Sequence, residues 1–136
     1  MKLYPVNPYS KFHINTLYAL LAEREAHQNI SHKEMPSLVK HTAFVQSNPY
    51  AAWYLVTPEW ADVFVGSVYL SKQNEIGIFI FKAFQGHGYG KAAVEALMAQ
   101  HKGPFLANVA PGNLASQMFF EKLGFKTIQV TYVSTS

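Results

Sequence analysis

The chain has 136 residues, nearly half of them apolar and only 14% charged, which suits one globular domain and argues against disorder. It has no cysteine, so disulfides, thiolate metal sites and a Cys nucleophile are excluded. The net charge of +3 comes without any Lys/Arg run, which counts against nucleic-acid binding and is compatible with a small anionic ligand.

Residues 1–10 lack an apolar core stretch, so no signal peptide is expected. No segment approaches ~18 consecutive apolar residues, so no membrane span is expected either, and a soluble cytoplasmic protein is the default. Residues 3–6 read as a short extended piece. Between residues 14 and 24 the apolar positions Ile14, Leu17, Tyr18 and Leu21 recur at helical spacing. A polar stretch ends at Met35-Pro36, and a second helix is predicted over 36–46, since Pro suits a first helical turn. Ser47-Asn48-Pro49 reads as a turn.

Strands are predicted over 51–56 and 63–70, rich in aromatic and β-branched residues, with a hairpin-like connection at 71–74. Residues 76–81 are apolar on both faces and read as a central strand. After Gly90 the period becomes helical, with Ala93, Val94, Leu97 and Met98, and the helix ends near Gly103. A strand follows over 105–109. A helix then starts at Asn113 and is capped by Gly124, and a last strand covers 125–133. The order β-α-α-β-β-β-α-β-α-β predicts one mixed α/β domain over residues 1–136, with a central sheet and helices on both faces.

The informative stretch is Phe84-Gln85-Gly86-His87-Gly88-Tyr89-Gly90-Lys91, between an apolar strand and an amphipathic helix. Three glycines let the backbone turn tightly and approach a ligand. The unpaired N–H groups and the dipole of the following helix suit a pyrophosphate. A phosphate-loop NTPase is excluded, because Gln85 stands where the first Gly belongs and Ala92 replaces the Mg²⁺-binding hydroxyl. A dinucleotide fingerprint fails because Lys91 takes the third Gly position and no acidic residue lies about twenty residues on.

The remaining pattern, Gln-x-x-Gly-x-Gly at Gln85, Gly88 and Gly90, resembles the GNAT acetyltransferase superfamily. Val65-Gly66-Ser67-Val68 resembles the strand before that family's cofactor strand. Asn113 to Phe125, ending in Leu123-Gly124-Phe125, resembles its second motif in the family's order and spacing. The resemblance covers roughly residues 51–125. It implies a fold with splayed central strands and acetyl-CoA as co-substrate. It also implies N-acetylation of a primary amine on a small molecule, by direct attack in a ternary complex.

The resemblance further implies that Phe79, Ile80 and Phe81 hold pantetheine through their backbone. Gln85, Gly86, His87, Gly88, Tyr89, Gly90 and Lys91 then hold the pyrophosphate, with Asn113, Ser116 and Phe120 also facing the cofactor. Asn113 equally suits a helix cap, and His87 equally suits an exposed position without a role.

Acetyl transfer needs a neutral amine, although free alkylamines have pKa values of ~10. It also needs a stabilised oxyanion and a thiolate that can leave. Glu75, the only carboxylate on the central strand, is the first candidate for the base; the alternative is a solvated carboxylate at a strand end. Asn108 stands where some relatives carry a Glu, and would orient the acceptor or a water. Phe120 stands where many relatives have a Tyr acid. Protonation of sulfur is then left to a water or another hydroxyl, or the thiolate leaves without a dedicated acid.

Tyr50, Trp53 and Tyr54 are candidates for the border of the acceptor site. His32 and His41 fall in the helical region that lines that site in the family, with solvated or capping roles as the alternative. No histidine pair has metal-ligand spacing beside acidic partners, so no metal is expected. The expected partner is a small-molecule amine, with neither nucleic acid nor membrane. A sheet edge left open after the last strand would be available for a homodimer. The rival reading is a non-catalytic acyl-CoA-binding or sensing domain on the same fold, supported by Phe120.

Overall fold

The computed structural model describes residues 1–28 and 35–135. They belong to two units, Met1–Leu106 and Ala107–Ser136. The first unit runs β1 (Lys2–Pro5), α1 (Lys11–Gln28), α2 (Leu38–Gln46), β2 (Ala52–Thr57), β3 (Gly66–Leu70) and β4 (Ile76–Ile80). A short 3₁₀ turn, Lys82–Phe84, and α3 (Tyr89–Gln100) complete it. The second unit carries α4 (Leu114–Lys122). The mixed α/β class is as the sequence predicts.

Serines start both early helices. The Ser10 hydroxyl accepts the His13 N–H at 3.2 Å, and the Ser37 hydroxyl accepts the Lys40 N–H at 3.2 Å. Each cap satisfies one of the donors that a helix start leaves without an internal acceptor. The second helix therefore begins at Leu38, after Pro36 and its cap, and not at Pro36 itself.

The sheet is antiparallel throughout, in the order β1-β2-β3-β4. Its register places Leu55, Ser67 and Phe79 in one row and Val56, Gly66 and Ile80 in the next. Side chains alternate along a strand, so these two rows face opposite sides. On the first side, Ile14, Leu17, Leu20, Val45 and Leu55 form a buried cluster against Trp53, Phe64, Phe79 and Phe81. This is the side that α1 and α2 cover. Each large apolar side chain buried there contributes about 1.5–3 kcal/mol.

On the second side, Val56, Val68, Leu70 and Ile76 are buried, as are Ala93, Val94 and Leu97 of α3. Helix α3 packs on β1, β3 and β4. The Tyr54 hydroxyl, also on this side, meets His101 Nε2 at 2.7 Å just past the end of α3. Helices thus cover both faces of the sheet.

Two predicted strands are not strands in this structure. Residues 105–109 make a single parallel bridge, Leu106 with Glu75. The carbonyls of Lys102 and Pro104 are taken by the Asn74 side-chain amide at 3.0 and 2.9 Å, so the approach to this segment is held by a side chain and not by a ladder. Residues 125–133 have the alternating Val, Ile and Tyr of a strand, but Ile128, Val130, Tyr132 and Val133 are all at least 63% exposed. Alternation yields a strand only where a neighbouring strand pairs and one face is buried.

Candidate functional site

The Gly-rich turn joins the end of β4 to α3. The Lys82 N–H donates to Glu23 Oε1 of α1 at 2.7 Å, which anchors the start of the turn. The Gln85 side-chain amide donates to the Ile80 carbonyl at 3.1 Å and closes the turn on itself. Gly86 has φ of 82° and Gly88 has φ of 78°, the left-handed region. A Cβ at either position would meet nothing within 4 Å, so conformation and not space requires glycine here. Gly90 is different: it lies inside the first turn of α3.

Gly88 is the N-cap of α3 and offers no capping side chain. The first intrahelical bond is from the Ala92 N–H to the Gly88 carbonyl at 3.1 Å. The N–H groups of Tyr89, Gly90 and Lys91 precede it, where a helix has no acceptor of its own. They sit at the positive end of the helix dipole, beside the exposed Lys91 side chain. His87 stacks on Tyr89, with ring centroids 5.4 Å apart and planes 11° apart. Its Nδ1 lies 3.0 Å from the Gln85 carbonyl, so the ring is fixed by the turn.

Strand β4 is the sheet edge. The Phe81 N–H donates inward to the Val65 carbonyl, whereas the Ile76 N–H donates outward to the Leu106 carbonyl. Backbone direction alternates along an antiparallel strand, so Phe79 and Phe81 point their N–H groups toward β3, and Ile78 and Ile80 point theirs outward. Of the three residues that resemblance nominates, Ile80 presents its N–H on the outer edge. Ile78 also does so and was missed, because the sequence does not reveal which phase of the alternation faces out.

Glu75 precedes β4 and lies in the row of Gly77 and Phe79. Its Oε1 accepts from the Ser71 hydroxyl at 3.1 Å, and its N–H donates to the same hydroxyl oxygen at 3.0 Å. Ser71 thereby orients the carboxylate across the hairpin turn. Glu75 is half-buried.

A cavity of about 330 Å³ opens between α1, α2 and the first side of the sheet. Phe44, Tyr50, Trp53, Tyr69 and Phe79 line it, together with Arg24, Lys40 and His41. Tyr50 and Tyr69 stack at 3.9 Å with planes 8° apart, and Trp53 stands edge-on to Tyr50 at 4.8 Å. The Arg24 guanidinium lies 4.7 Å from the Phe79 ring centre.

Burial, and secondarily the neighbouring Tyr69, pushes the Tyr50 hydroxyl well above the ordinary tyrosine range. Burial also holds His41 below the usual histidine range, opposed by a backbone hydrogen bond with Ile14. His41 Nε2 and Trp53 Nε1 are buried without a hydrogen-bond partner among the described residues. Such orphans cost roughly 1–3 kcal/mol each, the kind of deficit found where a site is built for something else.

Tyr50 and Trp53 thus share the cavity, whereas Tyr54 points to the opposite side, toward His101. His32 lies outside the described residues. Arg24 and Lys40 were not singled out in the sequence, because single cations on helices carry no signal until the fold brings them to one wall.

In the second unit, Asn113 caps α4: its Oδ1 accepts the Ser116 N–H at 3.1 Å. Phe120 is buried against Phe119 and Phe125, with ring centroids 5.0 and 5.2 Å away. Gly124, with φ of 92°, ends the helix. Asn108 is exposed on the segment before it. Among the described residues no group of three or more His, Asp or Glu side chains could hold a metal ion, and no helix is long and apolar enough to cross a membrane.

Several solved structures share this fold. An acetyltransferase from Thermus thermophilus is 20% identical, with a TM-score of 0.73 over 94% of this chain and 88% of that one. The ribosomal-protein alpha-N-acetyltransferase RimL, in complex with coenzyme A, is 21% identical, with a TM-score of 0.71 over 88% of this chain and 76% of that one. An aminoglycoside N-acetyltransferase in complex with coenzyme A is 15% identical, with a TM-score of 0.70 over 99% and 93%. No curated protein matches the chain. A family model described as the acetyltransferase (GNAT) domain matches residues 5–126 and spans both sequence motifs. The chain belongs to the GNAT acetyltransferase family.

Proposed function

We propose that the chain, acting as one domain, transfers acetyl from acetyl-CoA to a primary amine of a small molecule by direct attack in a ternary complex. The turn from Gln85 to Gly90 carries this reading. Positive φ at Gly86 and Gly88 brings the backbone round so that the N–H groups of Tyr89, Gly90 and Lys91 lead α3. A row of N–H groups at a helix start suits a pyrophosphate, and here it follows the edge strand β4. The related structures that hold coenzyme A share the fold.

The turn would bind the pyrophosphate through those N–H groups and Lys91. The outward N–H and carbonyl groups of Ile78 and the Ile80 N–H would pair with pantetheine as a further strand does. A backbone N–H of β4 would polarise the thioester carbonyl. Glu75, oriented by Ser71, would take the proton from the acceptor ammonium, directly or through a water. Asn108 would orient the acceptor. Phe120 has no proton to give, so water would protonate the departing sulfur. The cavity beside Phe79 would receive the acceptor. Its volume of about 330 Å³ suits a small molecule.

Incubation with acetyl-CoA and a panel of amines, reading free thiol, tests the reading. Thiol release with at least one amine is expected. Coenzyme A binding without turnover on any amine would instead favour a sensing domain. Glu75→Gln should lower kcat by about 10²–10⁴ with coenzyme A affinity unchanged. Wild-type turnover in that variant would remove Glu75 as the base.

A further inference from the structure

Five of the described residues around the cavity are aromatic: Phe44, Tyr50, Trp53, Tyr69 and Phe79. Their rings form one connected group. Tyr50 and Tyr69 lie parallel at 3.9 Å, and Trp53 meets Tyr50 edge-on at 4.8 Å. Phe44 stands steeply inclined to Tyr50 and Trp53 at 6.0 and 6.1 Å, and Phe79 follows Tyr69 at 6.4 Å. Rings gathered for stability alone would pack out their own space. These surround about 330 Å³, at the low end of the roughly 300–1,000 Å³ usual for small-molecule sites. His41 Nε2 and Trp53 Nε1, in the same lining, are buried without a hydrogen-bond partner among the described residues, a deficit that a core does not explain. Edges and faces are already mixed in this group, so a further ring finds both kinds of partner.

Strand β4 fixes where the amine has to stand. Tyr69 pairs with Gly77, and its ring fills the place that a Cβ on Gly77 would take. Gly77 lies between Glu75 and Phe79 on this face of the sheet. Glu75 is therefore one two-residue step from the strand position that Tyr69 covers, roughly 6.8 Å. A short alkyl arm and one hydrogen bond of about 2.9 Å cover that step.

We propose that the acceptor is an arylalkylamine: one aromatic ring seated among these five, with its amino group carried toward Glu75 on an arm of two or three carbons. This rests on the reading that the cavity receives the acceptor and that Glu75 is the base.

Four amines test it: 2-phenylethylamine, 2-cyclohexylethylamine, ethanolamine and glucosamine. Thiol release gives kcat/KM for each. The aryl amine should exceed ethanolamine and glucosamine about tenfold or more, and the cyclohexyl amine, which has the same arm and no π face, about threefold. Phe44→Ala should raise KM for 2-phenylethylamine about tenfold, leaving KM for ethanolamine and coenzyme A affinity unchanged. Equal rates for the aryl and cyclohexyl amines, a preference for glucosamine, or an equal rise in both KM values would overturn the proposal while leaving the transferase reading intact.

Binding is read separately from transfer by Trp53 fluorescence in a Trp60→Phe background, with and without coenzyme A. A response to 2-phenylethylamine but not to ethanolamine, without thiol release from any amine, would uphold the aromatic ligand and sink the transferase reading. No response to 2-phenylethylamine under either condition would overturn the aromatic ligand itself.

Discussion

At the scale of the residue, Gly88 is held by its backbone and not by crowding. With φ of 78° and open space where a Cβ would stand, Gly88→Ala should cost about 1–2 kcal/mol through conformation alone. Gly88→Asp adds a negative charge at the start of α3, beside the proposed pyrophosphate contacts. Calorimetry should show much weaker coenzyme A binding for Asp than for Ala, because only Asp repels phosphate. Equal loss in the two variants would mean that the turn shape matters and the charge does not.

His41 makes a second residue-scale prediction. Burial holds its pKa below the ordinary histidine value. As the pH falls below about 6.5, the unfolded chain takes up this proton before the folded one does. The contribution to stability is therefore complete above that pH and is lost as the pH falls toward the folded-state pKa. Melting temperature measured from about pH 8 to pH 5 should fall on acidification. The fall should be shallower in His41→Gln, which has no proton to gain. Identical slopes would assign the acid sensitivity elsewhere, His13 being another histidine that burial holds low.

At the scale of the element, β4 depends on two glycines with different neighbours. A Cβ on Gly77 would collide with the Tyr69 ring, a side chain that can move at the cost of its stacking on Tyr50. A Cβ on Gly66 would collide with the Phe79 carbonyl, which cannot move without breaking the sheet. Gly77→Ala should thus cost about 1–3 kcal/mol in denaturant unfolding and weaken acceptor binding, with coenzyme A binding kept. Gly66→Ala should destabilise more, and should affect both ligands. The hairpin at 71–75 is also an element-scale device: Ser71 bonds the backbone and side chain of Glu75, so a strand turn and a candidate base share one hydroxyl.

At the scale of the whole molecule, coenzyme A should act as a stabilising ligand, since the turn and strand edge exist only in the folded chain. At roughly a hundredfold excess over Kd the gain is about 2.7 kcal/mol, seen as an upward shift of several degrees in Tm. Added salt should shrink that shift, because the turn is exposed and its proposed contacts with the pyrophosphate are ionic. No shift at saturating coenzyme A would remove the turn from the binding site.

What the sequence by itself determined was local. Gly86 and Gly88 signal positive φ, Asn113 signals a helix start, and the period change after Gly90 signals α3, because each depends on a few neighbouring residues. Exclusion of the other nucleotide-binding turns likewise needed only Gln85, Lys91 and Ala92. What the tertiary structure decided was everything that depends on pairing. Residues 105–109 and 125–133 carry strand composition, yet only a pairing neighbour makes a strand. The outward direction of Ile78 and Ile80 is a matter of register. The meeting of Arg24 and Lys40 with Tyr50 and Tyr69 joins residues far apart in the chain around one cavity, and no spacing rule foretells that. The proposed donor site rests on the turn, whose chemistry is local; the proposed acceptor site rests on distant side chains that only the fold brings together.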